Sequence, residues 1–357
     1  MKPVKVAFVL ASSSHAPLAS TRIFALNMLP YLERAGFAPT IAFEPERATE
    51  QPDVAGLARK LEADGVGVAV FQKVHGTSVL QEVTALRNAG IRTVYAVCDL
   101  IENPMVAATD ATVVVTEYLK GLYDAGLQHK MHVVHDGIEN PDVFKTNYAT
   151  TTSNARALRA VLVTGSALDE LPAIGDPPPG VEVLVIGRYP PTSTMHKARR
   201  AYGRFRSNKG DGQHSIVRRL FGGRFEKVNW NPATVHHLLV GADVGIIPVD
   251  MQRDPLPGHD VSWWQVKSEN RLTMKMAAGL PVIASPVPSY LAVIEHGING
   301  YVATTRDEWL ACFEALRDPG LRQRMGQRAR ASVLPRFSRD EQARKLVAVL
   351  QAVRRAT

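Results

Sequence analysis

The stretch KSENRLTMKMAAGLPVIAS, Lys267 to Ser285, crowds Lys267, Ser268, Glu269, Asn270 and Arg271 together. An Ala-rich turn ending at Gly279 and an apolar run, LPVIAS, follow. Lys267 and Arg271 supply full positive charges, and Ser268 and Asn270 supply neutral hydrogen-bond donors. At a helix start, free backbone N–H groups and the positive end of the dipole also favour an anion. Cations there oppose the dipole, so a merely solvated first turn is the less comfortable reading, and the pattern points to a bound phosphate. Lys267 and Arg271 are four apart and share a face if the helix has begun by Lys267. Ser262–Gln265, SWWQ, fits a capping box and offers another start.

Asp99 closes YAVCDL, a place that suits the cap of a following helix. The loop ASSSHAPLAST sets Ser12, Ser13, Ser14 and His15 after the first apolar run, and Arg22 follows near a helix start. Arg22 is suited to a substrate phosphate or to a salt bridge. Trp230, in VNWNPAT, offers a face for a nucleobase or for core packing. His236 and His237 are adjacent in a helical segment and cannot share a face, so no metal site is expected there. There is no Asp-x-Asp motif. Cys98 and Cys312 match no metal or redox spacing and read as buried small residues in a reducing compartment.

Short β-rich runs must carry these residues. KVAFVLA, APTIAFEP, GVAVFQKV, RTVYAVCD, ATVVVT and MHVVHDG come first, then RAVLVTG, EVLVIGR, FEKVNW, VGIIPVD, LPVIASP and GYVATT. Most are continuous apolar runs, as in parallel strands covered on both faces. Amphipathic segments such as TRIFALNMLPYLERAGF and VLQEVTALRNAG lie between them. The predicted fold is α/β, two doubly wound Rossmann-like domains facing a cleft at the carboxyl ends of both sheets. Residues 1–150 form the first domain and 151–340 the second, with the polar boundary around 141–158. The helical segment 341–357 caps either domain, with the first preferred.

The 357 residues are 45% hydrophobic and 21% charged, enough for two cores. No window approaches a membrane-spanning length, and the opening VAFVLA reads as a buried strand rather than a signal peptide. Formal net charge is +8, which suits an anionic partner. His196–Lys227 holds ten Lys/Arg against two acids and reads as an insertion. It is either a solvated loop or a surface for an anionic acceptor or a membrane, with nucleic acid not expected.

The stretch NRLTMKMAAGLPVIASPVPSYLAVIEHGINGYV resembles the C-terminal signature of the large family of retaining nucleotide-sugar glycosyltransferases of GT-B fold. VVHDGIENPDVF resembles that family's interdomain linker, ASTRIFALNMLPYLERAGF its first loop and helix, and DPGLRQRMGQRARASVLPRFS its closing helices. Together they cover most of the chain. Two departures stand out. The family's paired glutamates fall at Val266 and Met274, with Glu269 out of register, and the basic pair usual after the second domain's first strand is missing from VLVTGSALDELPAIG.

The resemblance implies a retaining, metal-independent transfer from a nucleotide-sugar donor, with no other cofactor. Lys267, Ser268, Asn270, Arg271, Trp230 and Gly165 are then expected on the donor side. Ser14, His15 and Arg22 face the acceptor, a carbohydrate, lipid-linked or protein hydroxyl. Asp99 and His15, with Lys267 and Arg271, are the expected catalytic set. Surface polysaccharide or glycoconjugate synthesis in the cytoplasm, with peripheral membrane contact through 196–227, would be the setting. A nucleotide-sugar epimerase and a degenerate polyanion-binding protein of the same fold stay open as alternatives.

Overall fold

The computed structural model describes residues 3–148, 157–165, 171–189, 225–252, 255–256 and 258–355. It contains two six-stranded parallel sheets. In the first, β1 (Val4–Leu10), β2 (Phe37–Phe43), β3 (Val68–Gln72), β4 (Arg92–Val97), β5 (Ala111–Val114) and β6 (Met131–Val133) are ordered β2-β1-β3-β4-β5-β6. In the second, β7 (Leu158–Val163), β8 (Val181–Gly187), β9 (Phe225–Asn229), β10 (Val244–Ile247), β11 (Val282–Ala284) and β12 (Tyr301–Val302) are ordered β12-β11-β10-β7-β8-β9. Each of the twelve runs overlaps one of these strands, and the doubly wound α/β expectation is met.

The continuous apolar pattern has a simple cause. Val6, Phe8 and Leu10 of β1 enter one core cluster while Ala7, Val9 and Ala11 enter another on the opposite face. In β7, Leu158, Ala160 and Leu162 face one side and Val161 and Val163 the other. Both pleat faces are covered, so neither can be polar. Strand order reverses between β1 and β3 in the first sheet, and between β7 and β10 in the second. At such points the loops diverge and leave a crevice outside the strand ends.

TRIFALNMLPYLERAGF does not form one helix. A wide helical turn, Thr21–Leu26, is followed by a separate helix, Leu29–Arg34. Pro30 has no N–H to give, and its ring would crowd the carbonyl one turn back, so the pattern restarts there. SWWQ also departs from expectation. Gln265 Oε1 accepts from Ser262 N–H at 2.9 Å, half a capping box, but the chain makes only a turn.

The chain crosses between the two sheets twice, and the crossings run side by side. Ile138 N–H donates to Phe337 O at 2.9 Å, and Gly137 leaves room for Arg339. Beyond the first crossing, Lys145 N–H donates to Ala278 O and Tyr148 Oη to Gly279 O, which fastens the linker to the second sheet's layer. After the second, the helix Arg339–Arg355 returns to the first sheet. Its Leu346, Val349, Leu350 and Val353 join Val6, Phe8, Val68 and Val94 in one cluster. Each such side chain contributes about 1.5–3 kcal/mol on full burial.

Candidate active site

A cavity of about 1010 Å³ opens at the carboxyl ends of the second sheet. Its wall takes Thr164 after β7, Asp250 after β10, Asp176, and the cations Lys267, Arg271 and Arg306. It therefore occupies the reversal between β7 and β10.

The site helix is Asn270–Ala277. Leu272 and Met276 pack to one side and Met274 to the other, so both flanks are buried. The helix stops at Gly279, φ 78°, with Gly279 N–H on Met276 O and Leu280 N–H on Lys275 O. This is a Schellman end, and only glycine adopts that φ without steric cost. Lys267 precedes the helix and Arg271 lies in its first turn, so they share the cavity wall rather than a helix face. Burial lowers the Lys267 pKa and Arg271 lowers it further, while Asp99, on the first sheet's side, works the other way. Gly165 lies under Arg271, since a Cβ there would sit 3.7 Å from Nη2.

Several expected donor-side residues turn elsewhere. Ser268 Oγ donates to Asp136 Oδ2 at 2.7 Å, so its hydroxyl serves the contact with the first domain. Asn270 starts the helix without lining the cavity. Trp230 packs beside the β7–β8 core and under Arg22, whose guanidinium carbon is 5.3 Å from the ring centroid; it does not line the cavity. Arg22 is itself committed, with Nε 3.0 Å from Glu139 Oε1 and Nη2 2.9 Å from Oε2. Of the two readings open for each, Arg22 makes the salt bridge and Trp230 packs, and the pair forms a clasp tying first domain, linker and second domain together.

On the first domain, Asp99 does not cap a helix, because the next one, Asn103–Ala108, starts behind Glu102. Its Oδ1 instead lies 3.0 Å from Lys73 Nζ and accepts from the Cys98 thiol at 3.1 Å. His15 is exposed in its loop. Ser14 N–H donates to Glu44 Oε2 at 2.6 Å, and Arg188 Nη2 reaches Pro17 O at 3.5 Å across the cleft. Ser12 is buried and bonded to Thr21, so it holds the loop rather than lining the cleft. At the two glutamate positions of the resemblance, Val266 is buried against the first domain's core and Met274 within the second's. Glu269 is also buried, 2.7 Å from His135 Nδ1 but outside hydrogen-bond angles.

Asp176, Asp250 and Thr164 were missed from the sequence. Asp250 ends the apolar run VGIIPVD, and the rule that open α/β sheets bind ligands beyond strand ends marks it. Asp176 follows a Gly in an irregular loop and carries no comparable signal. Among the described residues, no group of three or more His, Cys, Asp or Glu is placed to hold a metal ion. Among them, no helix is long and apolar enough to cross a membrane.

No protein-family profile matches the chain, and no curated protein sequence does. Solved structures match it in shape. A glycosyltransferase from Rickettsia africae ESF-5 gives a TM-score of 0.68 at 12% identity over 100% of both chains. Sucrose-phosphate synthase from Thermosynechococcus elongatus gives 0.66 at 13%, over 99% of this chain and 100% of that one. Two whole-length matches, with two facing Rossmann-like sheets, decide the architecture.

The fold is GT-B.

HepE from Anabaena, in complex with UDP-glucose, has the same GT-B likeness, with a TM-score of 0.62 at 14% identity over 98% of this chain and 99% of that one. At these identities the likeness is one of fold.

Proposed function

We propose that this chain is a glycosyltransferase that moves a sugar from a nucleotide-sugar donor to an acceptor hydroxyl. The observation that carries the reading is the cavity at the β7–β10 reversal with Lys267 and Arg271 on its wall. A donor diphosphate belongs beside these cations. As the glycosyl–phosphate bond breaks, negative charge builds on the leaving diphosphate, and fixed positive groups stabilise that charge more than the ground state. Asp250 and Asp176 offer carboxylate oxygens to ribose or sugar hydroxyls. HepE was solved with UDP-glucose, which favours a uridine donor. The acceptor enters from the first domain, where Asp99 orients its hydroxyl and the His15 loop borders the path. Transfer proceeds with retention and without a metal, Lys267 and Arg271 taking the role a divalent cation has elsewhere.

The acceptor is a carbohydrate, lipid-linked or protein hydroxyl in surface polysaccharide or glycoconjugate synthesis, in a cytoplasmic setting. The basic 196–227 stretch, which lies outside the described residues apart from Phe225–Lys227, is proposed as its anionic docking surface or as a peripheral membrane contact. Incubation with a panel of UDP-, GDP- and ADP-sugars tests the reading. One donor should raise the melting temperature, because it binds only the folded state. It should also release its nucleoside diphosphate, with the rate unchanged by EDTA. Absence of both shift and release across the panel would overturn the reading, an altered but unreleased sugar would indicate an epimerase, and loss of activity in EDTA would overturn metal independence.

A further inference from the structure

We propose that Lys73 is a positioning residue of the acceptor side, holding Asp99 with one carboxylate oxygen bound and the other presented to the incoming hydroxyl. The proposal rests on the glycosyltransferase reading above. Lys73 directly follows β3, at the point where strand order in the first sheet reverses. It is the first domain's counterpart of the place where the second domain has its cavity.

The local backbone is unusual. Lys73 has φ 61°, a left-handed conformation that crowds the Cβ of any residue but glycine. Its N–H is fixed on Ala96 O at 2.7 Å, so β4 holds the strained turn in place. Non-glycine residues kept in such conformations cluster at functional sites. The turn sends the side chain inward along the strand ends, where it is only 12% exposed.

There Nζ lies 2.6 Å from Glu50 Oε1 and 3.0 Å from Asp99 Oδ1. Burial opposes its charge, but Cys98, Asp99 and Glu50 together hold the ammonium well above the ordinary lysine range. Asp99 Oδ1 is thus bound by both the ammonium and the Cys98 thiol. Asp99 Oδ2 has no hydrogen-bond partner among the described residues, and the side chain is 23% exposed. One ammonium between two carboxylates leaves a net negative charge. Lys267 of the donor cavity lies within electrostatic reach of both Asp99 and Lys73. Lys73, held on Oδ1, sets which of the two Asp99 oxygens is free.

The test uses UDP-glucose as probe and water as the smallest hydroxyl acceptor. Lys73→Asn removes the ammonium while keeping a residue that tolerates the left-handed backbone. Lys73→Arg keeps a cation. Lys73→Asn should bind UDP-glucose, by calorimetry, within roughly two-fold of wild type, yet release UDP about ten-fold or more slowly, since partners that orient a reacting group are typically worth that much. Lys73→Arg should recover most of the rate. If Lys73 acts through Asp99, the double variant Lys73→Asn/Asp99→Asn should be no slower than Asp99→Asn alone. An unchanged rate in Lys73→Asn, a multiplicative loss in the double variant, or loss of UDP-glucose binding together with the rate would each overturn the proposal. A wild-type protein inert to UDP-glucose and to the whole donor panel brings down the donor reading, and this proposal with it. Turnover that is indifferent to Lys73 brings down Lys73 alone.

Discussion

Lys267 and Arg271 share a cavity wall but carry charge on different terms. A guanidinium stays protonated under almost any burial, whereas an ammonium is readily depressed by it. Burial and Arg271 both press the Lys267 pKa down, and the opposing carboxylate is Asp99, from the other domain. Arg271→Ala should lower turnover with the true donor by roughly 100-fold or more, as removal of a transition-state donor does. Lys267→Ala should do the same, and neither should move the melting temperature much, because both groups line an open cavity rather than the core. Steady-state kinetics on the two variants decide it, and wild-type turnover in both would remove the phosphate assignment. These two residues were legible because cations at a helix start need a reason. Which role Ser268, Arg22 and Trp230 take was not legible, because the partners that claim them, Asp136, Glu139 and one another, lie on other segments of the chain.

The site helix Asn270–Ala277 is held by its end as much as by its flanks. Past its Schellman turn, the Gly279 carbonyl presses on Gly326 of the long helix Pro319–Phe337, so closely that a Cβ at 326 would collide with it. The same Cβ would stand 2.9 Å from Tyr148 Cε1. Gly326→Ala must push the two helices apart, and overpacking of this kind costs about 1–3 kcal/mol. A lowered denaturation midpoint is expected, and an unchanged one would show that the helices slide freely. Within the site helix, Lys275 faces inward. Its stem fits only because Gly245 of β10 has no side chain, a Cβ there lying 2.7 Å from Lys275 Cδ. Its Nζ donates to Arg271 O at 3.0 Å, and burial drives its pKa well below the lysine range. The charge-rich look of KSENRLTMK therefore misleads at Lys275, whose side chain is buried in the core rather than solvated.

Across the whole molecule the domains meet through a buried polar seam. Asp136 follows β6 and receives the Ser268 hydroxyl from the second domain, with His135 and Glu269 beside it. Burial and the Glu269 charge raise the Asp136 pKa to about 7, against the lowering effects of the Ser268 hydrogen bond and His135; Asp99 adds a smaller push upward. A carboxyl raised on folding binds its proton more tightly in the native state. Its stabilising contribution is complete below the ordinary Asp range and is lost as pH rises through about 7. Asp136→Asn cannot ionise and keeps an acceptor for Ser268. Between about pH 5 and pH 8 the melting temperature of the wild type should therefore fall relative to that of Asp136→Asn. Parallel melting curves across that range would show that Asp136 is not protonated at the seam.

The sequence by itself determined the two doubly wound sheets, because strands buried on both faces must be apolar at every position and so announce themselves without knowledge of their neighbours. It also marked Lys267 and Arg271, whose oddity is local. Only the tertiary structure decided which polar residues remain for a ligand. Hydrogen bonding and ion pairing depend on distance in space, and Arg22 meets Glu139 across more than a hundred residues of chain. Lys73 drew no notice in GVAVFQKVHG, since nothing in that string tells of Glu50, Asp99 or a left-handed turn. Its place depends on β3 standing beside β1 and β4, an ordering that parallel pairing and crossover handedness create only once the chain has closed on itself.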